Sequence, residues 1–79
     1  MGNPRPKPKY LAEKLLEIRR TLGISQYKMM FKLGLSSSVR VSEYESGTRE
    51  PNLMVLLKYA RIARVPVEHL IDDDLDLFE

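Results

Sequence analysis

An all-α domain of five short helices is what this sequence predicts, and three observations carry that expectation. Apolar residues recur at spacings of three and four along most of the chain. Glycines fall where those runs stop, at Gly23, Gly34 and Gly47. No segment carries a strand signal, which leaves helix packed on helix as the architecture. At 79 residues the chain is one small domain, near the lower end of what folds without covalent staples.

Each element follows in order. Residues 1–8 hold three prolines at alternate positions, Pro4, Pro6 and Pro8, spaced by Arg5 and Lys7. This reads as an extended basic arm. Leu11, Leu15, Ile18 and Leu22 then form one face of a first helix, with Glu13, Glu17, Arg19 and Arg20 off that stripe and Gly23 as its left-handed cap. Ser25 is placed to cap a second helix running to Leu33, with Met29, Met30 and Leu33 facing inward. A third helix is expected to start within Ser36–Ser38 and to run to about Ser46, burying Val41 and Tyr44, with Leu35 packing at its start. Asn52 caps a fourth helix whose apolar face is Leu53, Leu56, Leu57, Ala60 and Ala63, and Pro66 opens a short fifth ending near Ile71. Tyr10, Tyr27 and Tyr59 are expected half-buried on helix faces.

Charge is unevenly placed. All thirteen Lys and Arg lie within residues 1–67 beside five acids, a balance of +8, while the last twelve residues hold the other six acids and no base. A basic body with an acidic end points to a polyanion partner or to an ordinary solvated surface. The absence of cysteine excludes a disulfide framework and a thiolate metal site. No apolar run approaches the roughly 18 residues of a membrane span, and the opening MGNPRPKPK lacks the apolar stretch of a signal peptide. A cytoplasmic protein with no membrane partner is expected.

Helices two and three are too short to persist alone and must pack across a shared core. A glycine-hinged pair of this kind, held by a longer helix on either side, describes a helix-turn-helix. At this point the pieces EIRRTLGISQ (17–26), KLGLS (32–36), VSEYESGTREP (41–51), NLMVLLKYA (52–60) and VPVEHLI (65–71) resemble, in order and spacing, the Cro and phage-repressor (Xre-type) family of DNA-binding domains. The resemblance covers residues 9–71 and implies a lambda-repressor-like fold. Two departures stand out. Most relatives carry a small residue where Met30 stands. Counted from Gly34, the family's apolar pair in the third helix would fall on Arg40 and Glu43, so the turn holds one extra residue and the pair shifts to Val41 and Tyr44. The cluster Ser36–Ser38 is thus a lengthened turn plus cap.

The resemblance implies that the third helix lies in the major groove of double-stranded DNA. With Val41 and Tyr44 inward, the base-reading candidates are Ser37, Ser38, Val39, Arg40 and Glu43. Arg40 suits guanine O6 and N7, Val39 a thymine methyl, and Glu43 either accepts from cytosine N4 or tethers Arg40. Phosphate-binding candidates are Gln26, Lys28, Lys32, Thr48 and Arg49. Arg5, Lys7 and Lys9 follow the DNA backbone, enter a minor groove or belong to a solubilising terminus. The family positions matching Arg19 and Glu45 form a structural ion pair.

Other chemistry finds little support. His69 has no Cys or second His to share a metal and reads as a surface or interface residue. The Asp72–Asp76 cluster has Leu77 where a calcium loop needs glycine. Leu75, Leu77 and Phe78 in the tail, residues 72–79, either fold back on the core or pack against a second copy. No catalytic residues, cofactor, metal or small-molecule substrate is evident. The expectation is a bacterial DNA-binding transcriptional regulator, a repressor acting as a homodimer through the tail and the fifth helix. The alternative is a protein-interaction module or antitoxin-like partner using the same fold. The operator, the regulated genes and any effector are not encoded in a readable way.

Overall fold

The computed structural model describes residues 8–78. Five helices follow in chain order: α1 (Leu11–Leu22), α2 (Gln26–Leu33), α3 (Ser38–Ser46), α4 (Leu53–Ala63) and α5 (Glu68–Ile71). No strand occurs among the described residues. The expected arm falls almost wholly outside them.

Most of the boundaries have a local cause. Ser25 Oγ accepts from the Lys28 amide and Asn52 Oδ1 from the Val55 amide, satisfying donors that a helix start leaves open. Ser37 is the serine that caps α3, its hydroxyl accepting from the Val39 amide. Gly34 ends α2 at φ 70°, so that the Leu35 amide reaches back to the Met30 carbonyl and the chain reverses into α3. Arg64 performs the same function after α4 at φ 59°, a left-handed conformation that a residue with a Cβ adopts at some cost. Its neighbour Val65 closes the turn onto the Ala60 carbonyl at 3.0 Å.

The core contains Leu11, Leu15 and Ile18 of α1, Met29, Met30 and Leu33 of α2, and Val41 and Tyr44 of α3. Leu35 packs against its edge. Met30 is buried, its flexible thioether chain filling the space between α2 and its neighbours. α1 packs against α3, α4 and α5, and α2 against α3 and α4, so each helix of the hinged pair leans on a different set of supports.

Several positions differ from the sequence pattern. Leu53, expected inward, is 78% exposed. The face of α4 that reaches the core is Val55, Leu56, Tyr59 and Ala60, and Leu53 on the first turn projects beyond its edge. Tyr59 is fully buried, whereas Tyr10 and Tyr27 are largely exposed. Leu22, at the end of its stripe, also reaches solvent.

The acidic end folds back onto α1. Leu77 enters the core, and burying a leucine side chain contributes about 2 kcal/mol. Lys14, itself buried, donates its ammonium to the carbonyls of His69, Asp72 and Leu75 at 2.8, 3.1 and 2.9 Å. In return the Asp73 carboxylate accepts from the amides of Lys9 and Tyr10 at 3.0 and 3.3 Å. Tyr10 has no side chain able to cap α1, so the cap comes from the far end of the chain. Asp72 accepts from the Asp74 amide, and among the described residues no acidic or histidine cluster is arranged to hold a metal ion. His69 is half-buried, with its Nδ1 enclosed and unpaired, rather than a plain surface residue. No described helix is long and apolar enough to cross a membrane.

The Lys9 amide above all, with the Tyr10 amide and the Lys14 and Lys9 charges, holds the Asp73 carboxyl below its ordinary value of 3.8. Because the folded value is the lower one, this cap stabilises fully above the unfolded value and its contribution is lost as pH falls through the folded value. Asp73→Ala is therefore expected to lower the urea midpoint at neutral pH. Its gap from the parent chain should close below about pH 3.8. A gap of constant size down to pH 2 would contradict the role of the carboxylate.

Candidate nucleic-acid interface

α3 presents a divided surface. Val41 and Tyr44 are buried, while Val39 is 63% exposed and Arg40 and Ser42 are also open to solvent. Ser37 lies exposed at the cap and Ser38 is half-buried behind it. The one-residue shift of the apolar pair thus places Val39, Arg40 and Glu43 on the outer side of the helix. Ser42 is a further exposed position on α3, beyond the candidates that the sequence offers.

The loop after α3 is fastened to that helix. Gly47 turns at φ 80°, the Arg49 amide donates to the Glu43 carbonyl at 3.2 Å, and the Ser46 and Thr48 hydroxyls lie 2.7 Å apart. The Arg49 guanidinium approaches Glu43 Oε1 at 3.3 Å, and Arg40 Nε approaches the same oxygen at 3.4 Å. Pro8 and Lys9 line one cleft with Gly47, Thr48 and Arg49. The base of the basic arm therefore stands beside this loop.

Behind the surface lies a polar network. Arg19 donates to both Glu45 oxygens, at 2.6 and 3.0 Å, and to the Ile24 carbonyl at 2.9 Å. Gln26 donates to Glu45 Oε1 at 3.0 Å. One carboxylate therefore joins α1, α2 and α3. The Glu45 hydrogen bond raises the Arg19 guanidinium further above its ordinary range, against an opposing effect of burial, so Arg19 stays charged at any ordinary pH. Burial also pushes the nearby Tyr59 phenol upward. Gln26, proposed to touch phosphate, has committed one amide hydrogen to Glu45 and keeps a second.

Lys28 and Lys32 are exposed on α2. Between them the rings of Tyr27 and Phe31 meet edge to face at 5.0 Å, both 62% exposed. The sequence placed Tyr27 half inside because its spacing is compatible with either face of so short a helix.

A helix-turn-helix family model matches residues 15–70, and the chain belongs to that family, in its Cro and phage-repressor branch. Among solved structures it is similar to the P22 c2 repressor, crystallised in complex with synthetic operator 9T in the presence of Tl+. The two share 26% identity at a TM-score of 0.73, over 81% of this chain and 96% of that one. No curated protein matches the chain in sequence.

Arg19 keeps 18% of its side-chain surface and Glu45 only 5%. Removing the cation leaves a nearly buried carboxylate with Gln26 as its remaining side-chain donor. Arg19→Met is expected to cost about 3 kcal/mol, at the lower end for a buried pair because Arg19 is partly wet. Chemical unfolding checks this, and Arg19→Met with Glu45→Leu should recover part of the loss.

Proposed function

We propose that this chain is a DNA-binding transcriptional regulator, a cytoplasmic repressor that reads the major groove with α3 and binds as a dimer. The observation that carries the reading is the divided α3. Its buried pair anchors the helix while Val39, Arg40 and Glu43 face outward, next to a loop presenting Thr48 and Arg49. Ser37, Ser38, Val39, Arg40 and Glu43 read base edges, Arg40 as a fork toward guanine. Gln26, Lys28, Lys32, Thr48 and Arg49 set the register on phosphates, and Arg19 and Glu45 hold the three helices behind them. The operator-bound state of the similar P22 c2 repressor supports this reading.

The dimer surface we propose keeps the fifth helix, through Ile71, and replaces the tail with the start of α4. Leu77 is buried against this chain's own core, whereas Leu53, Met54 and Ile71 are exposed. Leu53 and Ile71 share a cleft of about 430 Å³ with Pro51 and Leu56. A second copy covers this apolar patch, joining two reading helices on half-sites about one turn apart. The exposed Tyr27–Phe31 pair favours a second reading, a protein-interaction module of the same fold.

Selection from random duplexes at two salt concentrations separates the readings. An enriched inverted repeat whose affinity falls with salt is expected; uniform weak binding with no motif would favour the protein-interaction module. Arg40→Ala should relax one position of the motif at a cost of about 1–3 kcal/mol, and Arg49→Ala should weaken all sequences alike and reduce the salt slope by about one. Leu53→Glu, followed by analytical ultracentrifugation, should raise the dimer dissociation constant at least roughly tenfold through lost apolar burial. An unchanged constant would place the dimer contact elsewhere.

A further inference from the structure

Glu43 is a carboxylate on the face that would meet a polyanion. Its Oε1 atom lies 3.4 Å from Arg40 Nε and 3.3 Å from Arg49 Nε, so a single oxygen holds one arginine assigned to bases and one assigned to phosphates. Arg49 lies six residues beyond Glu43, across the Gly47 turn, so this contact is more than a neighbouring pair along one helix. The backbone of the loop does not depend on that carboxylate, because the Glu43 carbonyl independently accepts from the Arg49 amide and the Ser46 hydroxyl. What the carboxylate controls is the direction of two guanidinium groups.

We propose that Glu43 is a specificity-determining restraint, which weakens binding to DNA of arbitrary sequence by holding Arg40 and Arg49 away from it. The proposal rests on the regulator reading and refines it. Non-specific affinity comes from neutralised phosphates. A carboxylate already paired with two arginines subtracts from that affinity, and once displaced it faces phosphates that repel it. On the correct site the displaced carboxylate instead meets a cytosine N4 donor while Arg40 engages guanine, so the lost contacts are replaced. Discrimination then arises from a penalty on the wrong sequence as well as from attraction to the right one. Exposed ion pairs of this kind each correspond to at most about a fivefold effect. Two independent pairs would permit roughly 25-fold, and two that share one oxygen stay below that ceiling.

The test compares the intact chain with Glu43→Gln on two duplexes, the selected motif and a scrambled version, over a range of salt. Glu43→Gln should bind the scrambled duplex about three- to tenfold more tightly, with a salt slope steeper by about one. On the motif the same release of the arginines is offset by the weaker acceptor that an amide in place of the carboxylate leaves for cytosine N4, so affinity there should gain less than on the scrambled duplex and the ratio between the duplexes falls. In the free protein, the Arg40 and Arg49 Nε–H signals should exchange with solvent faster in Glu43→Gln than in the parent, with the melting curve unchanged. Equal gains on both duplexes would reduce Glu43 to general repulsion and overturn the proposal. So would a loss on the motif with no gain on scrambled DNA, or parent Nε–H signals that exchange as fast as those of free arginine. A parent chain that does not distinguish the two duplexes would instead remove the regulator reading, and the restraint with it.

Discussion

The Glu45 carboxylate belongs to α3, accepts two hydrogen bonds from Arg19 of α1 and one from Gln26 at the start of α2, and is almost wholly withdrawn from water. Most other features of the surface depend on this contact. Neither α2 nor α3 has enough length to be stable alone, and the apolar pair Val41 and Tyr44 gives α3 only two anchoring points. A non-directional apolar contact would allow a helix so held to roll or slide. The forked geometry of a guanidinium meeting a carboxylate does not, because both oxygens must find their donors. The pair therefore sets the rotation of α3, and with it the direction in which Val39, Arg40 and Glu43 face.

A second set of contacts fixes the opposite side of the molecule. The C-terminal segment and the start of α1 complete each other: Asp73 supplies the cap that Tyr10 lacks, and Lys14 donates to three carbonyls of α5 and the tail. A domain of this size buries a limited apolar core, so reciprocal satisfaction of chain ends matters more than in a larger protein. It also turns Leu77 inward, while Leu53, Met54 and Ile71 stay exposed.

The two carboxylates of α3, Glu45 and Glu43, differ in how firmly they hold their partners. The buried pair makes the reading surface rigid, whereas the exposed contacts of Glu43 with Arg40 and Arg49 are weak enough to exchange for contacts to bases and phosphates. That division corresponds to the difference between a nearly dry ion pair and a wet one.

Much of the architecture is decided locally and was legible in the chain. Gly23, Gly34 and Gly47 mark left-handed ends, Ser25 and Asn52 mark starts, and the Met29, Met30, Leu33, Val41 and Tyr44 pattern identifies the faces that meet. Such signals act over one or two helical turns, so no knowledge of distant residues is needed to read them. Resemblance to the repressor family added the pairing of Arg19 with Glu45, which the structure shows, and the expectation that α3 reads DNA, on which the proposed function rests. What only the tertiary structure decided are contacts between residues far apart in sequence: the cap on α1 from Asp73, the three carbonyls around Lys14, the burial of Tyr59 and Leu77, and the exposure of Leu53. The reason is geometric. A helical period states which residues share a face, but how far that face extends over the core, and which chain end reaches an open amide, depends on the packing of all five helices together.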